Sequence, residues 1–411
     1  MRSFAKVGIL SLAAACAPAV AAQDRPGPEI ADERPRSIVQ DGVPEFATDS
    51  GWSIKPRGRI QLDAATVSSP EGIDDDRLGY HDEVRRAYIG VEGKIPGGFA
   101  YRAEFDLAEG GADIVDLYLS YQATKALAFT VGQQKPFWGL EEMTSDLFPS
   151  FTERAAINTA FGYERRLGAS AEYASGPVLL QGGVFTDYVQ ELDDSEDDPI
   201  SFDGRAVFMP KVGGGQLHLA GSVHVREFDD SADSARYRVR PFVHTSDIRF
   251  IDTGAIPATG ETGYNLEAAY LRGPFHAAAE AHWQAVDRVG GPDPTFFGYY
   301  VEAGMFLTRG DTRGYKKGQF DRVKPASPVG RGGIGAVQVN ARYDYLDLND
   351  AGIVGGTQDG YELSLSWMPT AYTRFIANYG HLQYSDAALP AAGGDRSYGV
   401  DTFGVRTQFD F

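Results

Sequence analysis

The sequence predicts an all-β protein, a single transmembrane antiparallel β-barrel with inward-folded loops. Three observations predict this fold class. Apolar and polar residues alternate in many short segments after residue 52, and the connections between these segments are short and long in turn. No apolar run after residue 22 approaches the ~18 residues of a membrane helix. A chain without such helices can span a bilayer only as a closed barrel.

The first 22 residues are predicted to form a secretory signal peptide. Arg2 and Lys6 supply the positive end, and the stretch VGILSLAAACAPAV supplies an apolar core that is too short to span a membrane. Small alanines near residue 22 suit cleavage. Cys16 is the only cysteine and lies inside this segment. The mature chain is therefore expected to contain neither a disulfide nor a cysteine metal site.

The composition argues against several classes of function. The formal net charge is -19, so no nucleic acid partner is expected. The seven histidines show no metal-binding spacing and no G-x-S-x-G stretch occurs, so we expect neither an enzyme nor a bound metal or cofactor. Residues 23–50 are rich in Pro, Asp and Glu and are predicted to form a flexible periplasmic lead-in. Residues 51–411 are predicted to form the barrel.

The alternation assigns one face of each strand to lipid and the other to water. It is clearest in FAYRAEFDL, LHLAGSVHVR, AVQVNARYDY and YELSLSW, where charged residues recur on the second face. The final stretch, TFGVRTQFDF, has the same pattern. There Phe403 and Val405, with Phe409 and Phe411, are predicted to face lipid, and Arg406 and Asp410 the lumen.

The number of strands depends on one segment, RYRVRPFVHT. If this segment spans the membrane, the count is seventeen, which would place the two ends of the barrel on opposite sides. An even count is expected, so the alternatives are sixteen and eighteen. Pro241 interrupts the alternation, and arginines are costly against lipid. Sixteen strands are therefore preferred, with residues 227–262 as one long outer loop. Other long connections are expected near 68–82, 135–162, 187–199, 287–295, 309–333, 347–358 and 387–397.

Several stretches together resemble the phosphate-selective porins O and P of Gram-negative bacteria. They are RRAYIGVEGKIPGGFAYRAEFDLA, VGQQKPFWGLEEMTS, ERRLGASAEY, ARYDYLDLND and VRTQFDF. The resemblance implies a sixteen-stranded, trimeric porin in the outer membrane, with the third and fifth outer loops constricting the pore. By position these loops match residues 135–162 and 227–262. It also implies that inward arginines and lysines guide anions.

The function expected from this resemblance is passive diffusion of small anions, phosphate foremost. A general porin for other solutes, or a plugged structural or adhesive barrel, are the alternatives. Strand parity also turns Arg102, Arg205, Arg226, Arg342, Arg374 and Arg406 inward, with four histidines. Pairing with lumen acids such as Asp63, Glu92, Glu104 and Asp106 is the competing role of the wall arginines. The candidate anion path comprises Arg57, Arg59, Arg86, Lys135, Arg154, Arg166, Arg236, Arg238, Arg240, Lys316 and Lys317.

The expected partners follow from an outer-membrane location. They are lipid and lipopolysaccharide around the barrel, permeating small anions, and two further copies in a homotrimer. A terminal aromatic residue resembles the signal read by the barrel insertion machinery, which assigns that role to Phe411. The acidic stretch ELDDSEDD (191–198) is expected to be a hydrated outer loop, with binding of divalent cations that bridge lipopolysaccharide as the alternative.

Overall fold

The computed structural model describes residues 42–108, 110–192, 199–228 and 234–411. The predicted signal peptide and most of the acidic stretch lie outside the described residues. Sixteen antiparallel strands pair with their neighbours in chain order, and the last strand pairs with the first. The sheet therefore closes into a barrel, and the preferred count of sixteen strands is confirmed. Among the described residues, no helix is long and apolar enough to cross a membrane.

The barrel strands are numbered β1 to β16 in chain order. Their bounds are β1 Ser53–Val67, β2 Gly79–Ile95, β3 Phe99–Asp106, β4 Asp113–Gln122, β5 Leu127–Gln134, β6 Arg166–Ser175, β7 Val178–Phe185, β8 Ile200–Phe208, β9 Gly215–Glu227, β10 Ile256–Arg272, β11 Phe275–Arg288, β12 Thr295–Phe306, β13 Ala336–Asp350, β14 Ile353–Thr370, β15 Thr373–Ser385 and β16 Tyr398–Asp410. Shorter pieces outside the barrel ladder are Phe46–Ala47, Lys211–Val212, Ser234–Ala235 and the 3-10 turn Ala392–Gly394.

The two faces of the strands follow the alternation in the sequence. In β16, Phe403 and Val405 are 50% and 42% exposed on the outside, whereas Arg406 and Asp410 are each 2% exposed inside. The same division holds along most strands, where aliphatic and aromatic side chains point outward and polar ones inward. The outer surface suits a hydrocarbon environment, and the polar side chains of the interior need water or ion pairs to satisfy them.

Two predicted loop boundaries were wrong. The segment 227–262 is a loop only from residue 228 to residue 255, because β10 begins at Ile256 and pairs with β9 and β11. The predicted long connection 347–358 is a two-residue turn, Ala351 and Gly352, with φ angles of 50° and 81°. In both places small and polar residues weaken the alternation. Pairing with neighbouring strands nevertheless extends these strands, and such pairing cannot be predicted from the local pattern.

Three long segments fold into the barrel. The third loop (residues 135–165) contains two short helices, α1 Leu140–Met143 and α2 Ala156–Ala160. The fifth loop (residues 228–255) contains a small hairpin that pairs Arg238 with Asp252. The third segment connects β12 to β13 at the end of the barrel where β1 begins. We call it the 307–335 insert, and its hairpin pairs Gly314–Lys316 with Gln319–Asp321.

A hydrophobic core lies inside the barrel. Ile157 and Phe161 of the third loop pack in one cluster with Phe242 and Phe250 of the fifth loop and with Tyr384 of β15. All five side chains are at most 2% exposed. Protein side chains therefore fill much of the lumen beside β10 to β16.

Candidate permeation pathway

The third loop is anchored to the barrel wall by buried carboxylates. The backbone N–H groups of Leu140 and Glu141 donate to the two oxygens of Glu280 at 2.9 and 2.8 Å, and the Tyr300 hydroxyl donates to the same carboxylate at 2.8 Å. The Ala156 N–H donates to Asp344 at 2.7 Å. These are the first N–H groups of α1 and α2, which have no partner within their helices. The wall acids thus fix the loop in position.

The fifth loop is held against the opposite wall by an aromatic contact. Phe242 has a φ angle of 56° and places its ring on Gly360 and Gly380 of adjacent strands. A Cβ atom at Gly360 would lie 2.3 Å from the Phe242 ring, so only glycine fits at this position. His244 Nδ1 also lies 2.9 Å from a Glu83 oxygen of β2. Burial lowers the pKa of His244, and the hydrogen bond to Glu83 acts in the opposite direction.

The 307–335 insert enters the barrel from the other end and meets the third loop. The Phe320 N–H donates to Thr144 Oγ1 at 3.2 Å, and Arg205 of β8 donates to the Gly318 carbonyl at 2.8 Å. His218 Nδ1 and the Tyr315 hydroxyl are 2.7 Å apart. The sequence identified this segment as a long connection but gave no sign that it folds inward.

A cavity of about 760 Å3 lies between the third loop, the fifth loop and strands β2 to β4. We call it the vestibule. Guanidinium groups dominate its wall, with six carboxylates and the aromatic rings of Tyr88, Tyr163, Tyr188 and Phe242 among them. Among the described residues, its lining contains no lysine. The arginines are Arg85, Arg86, Arg154, Arg165, Arg236, Arg238, Arg240 and Arg249, and the acids are Asp106, Asp113, Glu142, Glu153, Glu164 and Glu191.

The three arginines of RYRVR all line the vestibule, but their charges are balanced unequally. Arg236 forms a bidentate pair with Asp252 at 2.9 and 2.5 Å. Arg240 donates to Asp247 at 2.6 Å. Arg238 has no carboxylate within 4 Å among the residues that the structure describes. The acids expected to compete for this group, at positions 229, 230 and 233, lie outside the described residues.

An alternating lattice of arginines and acids continues from the vestibule along β1 to β4. Arg86 lies 2.8 Å from Asp146 of the third loop, and Arg59 pairs with Asp146 and with Glu104. Burial disfavours ionisation of Asp146, yet Arg59 and Arg86 hold its pKa well below the usual range. The remaining pairs are Arg57 with Glu92 and Glu104, Arg102 with Glu92 and Asp116, and Arg165 with Asp116. Pairing of wall arginines with lumen acids, the competing role, is thus present in the geometry.

Of the other candidate residues, Arg154 lines the vestibule, and the rest are dispersed. Lys135 donates to the Glu142 carboxylate at 2.8 Å, and Arg154 donates to carbonyls of the third loop. Arg166 lies outside the vestibule and lines a neighbouring cavity of about 320 Å3. Lys316 and Lys317 are on the insert, where Lys317 pairs with Glu172 at 2.8 Å. The structure therefore does not bring these two lysines to the arginine group.

Sequence parity missed Arg85. Arg85 and Arg86 are consecutive, so a regular strand would place them on opposite faces. The register between β1 and β2 shifts at this point, because Gln61 pairs with Arg86 and Leu62 with Val84. The resulting bulge turns both guanidiniums inward, and Arg85 lies 3.3 Å from Glu153. The adjacent basic pair is the only sequence signal, and it does not predict a bulge.

The fold and its lining define the class of protein: a membrane-spanning β-barrel channel, with long loops folded into an arginine-rich lumen. The family model described as phosphate-selective porin O and P matches residues 54–411, and the chain belongs to this family. The protein is therefore located in the outer membrane. Family and fold indicate a channel rather than an enzyme.

The chain is similar to one curated sequence and to many solved porins. It is 46% identical over 399 residues to an uncharacterised protein of Caulobacter vibrioides, covering 95% of this chain and 80% of that one. An anion-selective porin from Comamonas acidovorans is 13% identical with a TM-score of 0.56, covering 88% of this chain and all of the other. The trimer form of OmpT from Vibrio cholerae is 13% identical with a TM-score of 0.54 at the same coverage. At these identities the structural likeness shows the fold alone.

Proposed function

We propose that the protein lets small anions, phosphate foremost, diffuse passively across the outer membrane. One observation carries this proposal: among the described residues, eight arginines, six acids and no lysine line the vestibule, and Arg238 has no carboxylate within 4 Å. A confined cavity with an excess of positive charge attracts anions. The family description supports the same substrate class.

The preference for arginine over lysine fits an oxyanion. A guanidinium presents two parallel N–H groups to a pair of oxygens, whereas an ammonium acts as a point charge. Below the vestibule, the lattice from Arg86 to Arg57 places carboxylates between the guanidiniums. An anion can then pass from one guanidinium to the next, because the carboxylates between them weaken each binding site. Conduction requires several weak binding sites rather than one strong site.

The reversal potential in a salt gradient tests this proposal, first in chloride and then in phosphate. Wild-type protein in a planar bilayer is expected to prefer anions, and Arg238→Ala is expected to reduce that preference by about fivefold, since two unit charges 4 Å apart in water interact by about 1 kcal/mol. The matched control is Arg77→Ala, whose exposed side chain pairs with Asp75 outside the vestibule. A wild-type channel without anion preference would refute the proposal.

A triple variant with alanine at Arg236, Arg238 and Arg240 tests whether these arginines set the ion selectivity or only pair with acids of the loop. Arg236 and Arg240 form ion pairs with Asp252 and Asp247. Their removal exposes those carboxylates, so the triple variant is expected to shift toward cations further than Arg238→Ala does. An unchanged reversal potential would mean that all three serve only as partners of the loop's own acids.

A plugged barrel is the second candidate, because a specific observation favours it. The third loop, the fifth loop and the insert form a packed interior in which Phe250 and Phe320 are at most 2% exposed. A barrel closed by these segments would conduct no ions. Stepwise current increments in a planar bilayer would exclude it, and a folded protein that gives none would support it.

We propose that three copies of the chain assemble, as OmpT of Vibrio cholerae does in its trimer form. Cross-linking of the membrane-embedded protein at increasing reagent concentration tests this. Bands at two and three times the monomer mass are expected. A monomer that persists while a known trimeric porin in the same membranes is cross-linked would contradict the proposal.

A further inference from the structure

A small cavity lies where three segments meet near the end of the barrel that carries the chain termini. Its volume is about 20 Å3, and it is enclosed by the third loop, the insert and the first residues of β15 with the last of β16. Three guanidiniums and one carboxylate line it: Arg313, Arg322 and Arg374 with Asp410. It is separate from the vestibule, since the two cavities share no lining residue.

The carboxylate is already engaged by one of the three arginines. Arg322 forms an ion pair with Asp410 and donates to the Ala371 carbonyl. Its guanidinium also lies over the rings of Phe148 and Tyr372, at 5.0 and 4.4 Å from their centroids. Arg322 and Asp410 therefore neutralise one another, and two positive charges remain on the lining.

The remaining arginines are buried and lack an acidic partner. Arg374 is 5% exposed and donates to the Leu147 carbonyl at 3.4 Å and to Ser366 Oγ at 2.9 Å. Arg313 is 7% exposed and donates to the Phe148 carbonyl at 2.6 Å. The Nε atom of each is buried without a hydrogen-bond partner. Among the described residues, neither has a carboxylate within 4 Å; Glu302 acts on Arg313 at longer range.

This arrangement requires a counter-ion. A buried charge without a partner is costly, and two such guanidiniums facing one cavity also repel each other. A water molecule would satisfy the two Nε–H donors but would leave both charges uncompensated. The cavity exceeds the space needed by one water molecule. A monatomic halide is only slightly larger and supplies the missing negative charge.

We propose that this cavity binds one halide ion, chloride in the native membrane, between Arg313 and Arg374. The ion joins the insert to the wall and, through the Leu147 and Phe148 carbonyls that these arginines hold, to the third loop. This role is structural and does not depend on which solute permeates the channel. It gives the two buried guanidiniums a function that the anion path does not assign to them.

Crystals of the mature protein grown in sodium bromide provide the direct test. An anomalous bromide peak is expected within hydrogen-bonding distance of the Nε atoms of Arg313 and Arg374. The peak is expected to disappear in Arg374→Met and to persist in Lys324→Met, which removes an exposed cation of the same insert. Absence of the peak in the wild-type protein, or an oxyanion in its place, overturns the proposal.

Thermal unfolding supplies a second measurement that does not need crystals. At constant ionic strength, wild-type protein is expected to melt at a higher temperature in sodium chloride than in sodium gluconate, because a ligand that binds only the folded state stabilises it. The difference should vanish in Arg313→Met and in Arg374→Met and remain in Lys324→Met. Equal melting temperatures of the wild-type protein in the two salts would refute the halide site.

Discussion

The lumen arginines differ chiefly in how completely carboxylates compensate them. Arg406 makes a bidentate pair with Asp63 at 2.7 and 2.6 Å and a third contact with Glu153 at 2.7 Å. Arg238 in the vestibule and Arg374 in the small cavity have no acid within 4 Å among the described residues. Arginines inside one barrel therefore serve as structural ties in one place and as sources of positive potential in another.

Replacement of Arg406 is predicted to destabilise the barrel. Arg406→Met leaves Asp63 and Glu153 buried or half-buried without their shared partner, and loss of one member of a buried pair costs about 3–5 kcal/mol. Urea unfolding, followed by heat modifiability on gels, measures the change. Arg77→Met is the control, since its exposed pair with Asp75 is worth at most about 1 kcal/mol. Equal losses in the two variants would contradict this ranking.

Lys135 is predicted to make the selectivity depend on pH. Burial and repulsion by Arg154 lower its pKa to about 8, against the opposing attraction of Glu142. Between pH 7 and pH 9 the ammonium loses its proton beside Glu142, a vestibule residue. Anion preference should fall by about two- to fivefold, the effect of a unit charge 4–10 Å away in water. Reversal potentials at the two pH values measure this.

Arginine at position 135 is the matched control, because it keeps its proton throughout this pH range. Lys135→Arg should show no fall in anion preference between pH 7 and pH 9. Unfolding does not account for the wild-type effect: lysine has its ordinary, higher pKa in the unfolded chain, so the contribution of Lys135 to stability rises with pH from about 8 toward 10.5. An identical fall in both proteins would assign the titration to another group.

At the level of elements, the barrel wall and the inserted loops depend on each other. Strands place acids inward at alternate positions, and the third loop uses Glu280 and Asp344 to satisfy the first N–H groups of its short helices. Helices as short as α1 and α2 are marginal in isolation. Their position is thus set by side chains that lie more than a hundred residues away in the sequence.

Glu280→Gln is predicted to loosen the third loop. The amide leaves one oxygen to accept from Leu140 and Glu141, so one buried N–H group loses its partner, at a cost of about 1–3 kcal/mol. We expect a larger and noisier single-channel conductance, because the loop no longer keeps one position. Asp401→Asn, which alters a half-exposed outer carboxylate, serves as the control. Conductance that is unchanged in Glu280→Gln would show that this contact does not determine the width of the path.

At the level of the whole molecule, one seam closes the barrel. β16 pairs with β1 over nine registered residue pairs, from Arg59 with Asp410 to Val67 with Thr402. Phe411 follows β16 and extends the seam through two backbone hydrogen bonds with Gly58, of 3.0 and 3.3 Å. Its ring lies so close to Gly58 that a Cβ atom there would be 2.3 Å away. The final aromatic residue is therefore part of the closure.

Removal of Phe411 is predicted to lower the amount of folded, heat-modifiable protein in the outer membrane. The deletion loses two seam hydrogen bonds and the aromatic residue expected to be read by the insertion machinery. Phe411→Tyr is the control because it retains the ring and the backbone. Gel quantification of outer-membrane fractions at native expression measures the effect. Normal assembly of the truncated chain would argue against an assembly role for this residue.

Residue order was enough to predict the all-β class and the facing of most side chains, and to favour sixteen strands over eighteen, because alternation is a local property that a barrel between lipid and water imposes on each strand. It also indicated that the RYRVR segment does not span the membrane, since Pro241 interrupts its alternation and its arginines are costly against lipid. It did not predict the ends of β10 and β13, where small residues leave the pattern weak.

The tertiary structure alone decided which charges are balanced. The bulge at Arg85, the inward course of the 307–335 insert, and the pairing of Arg236 and Arg240 but not Arg238 all depend on contacts between segments distant in sequence. The energy of a charge interaction decreases with distance and with exposure to water, and neither the distance nor the exposure can be inferred from residue order. The pattern therefore predicted that most lumen arginines face inward, although not Arg85, and only the folded chain set what each of them meets there.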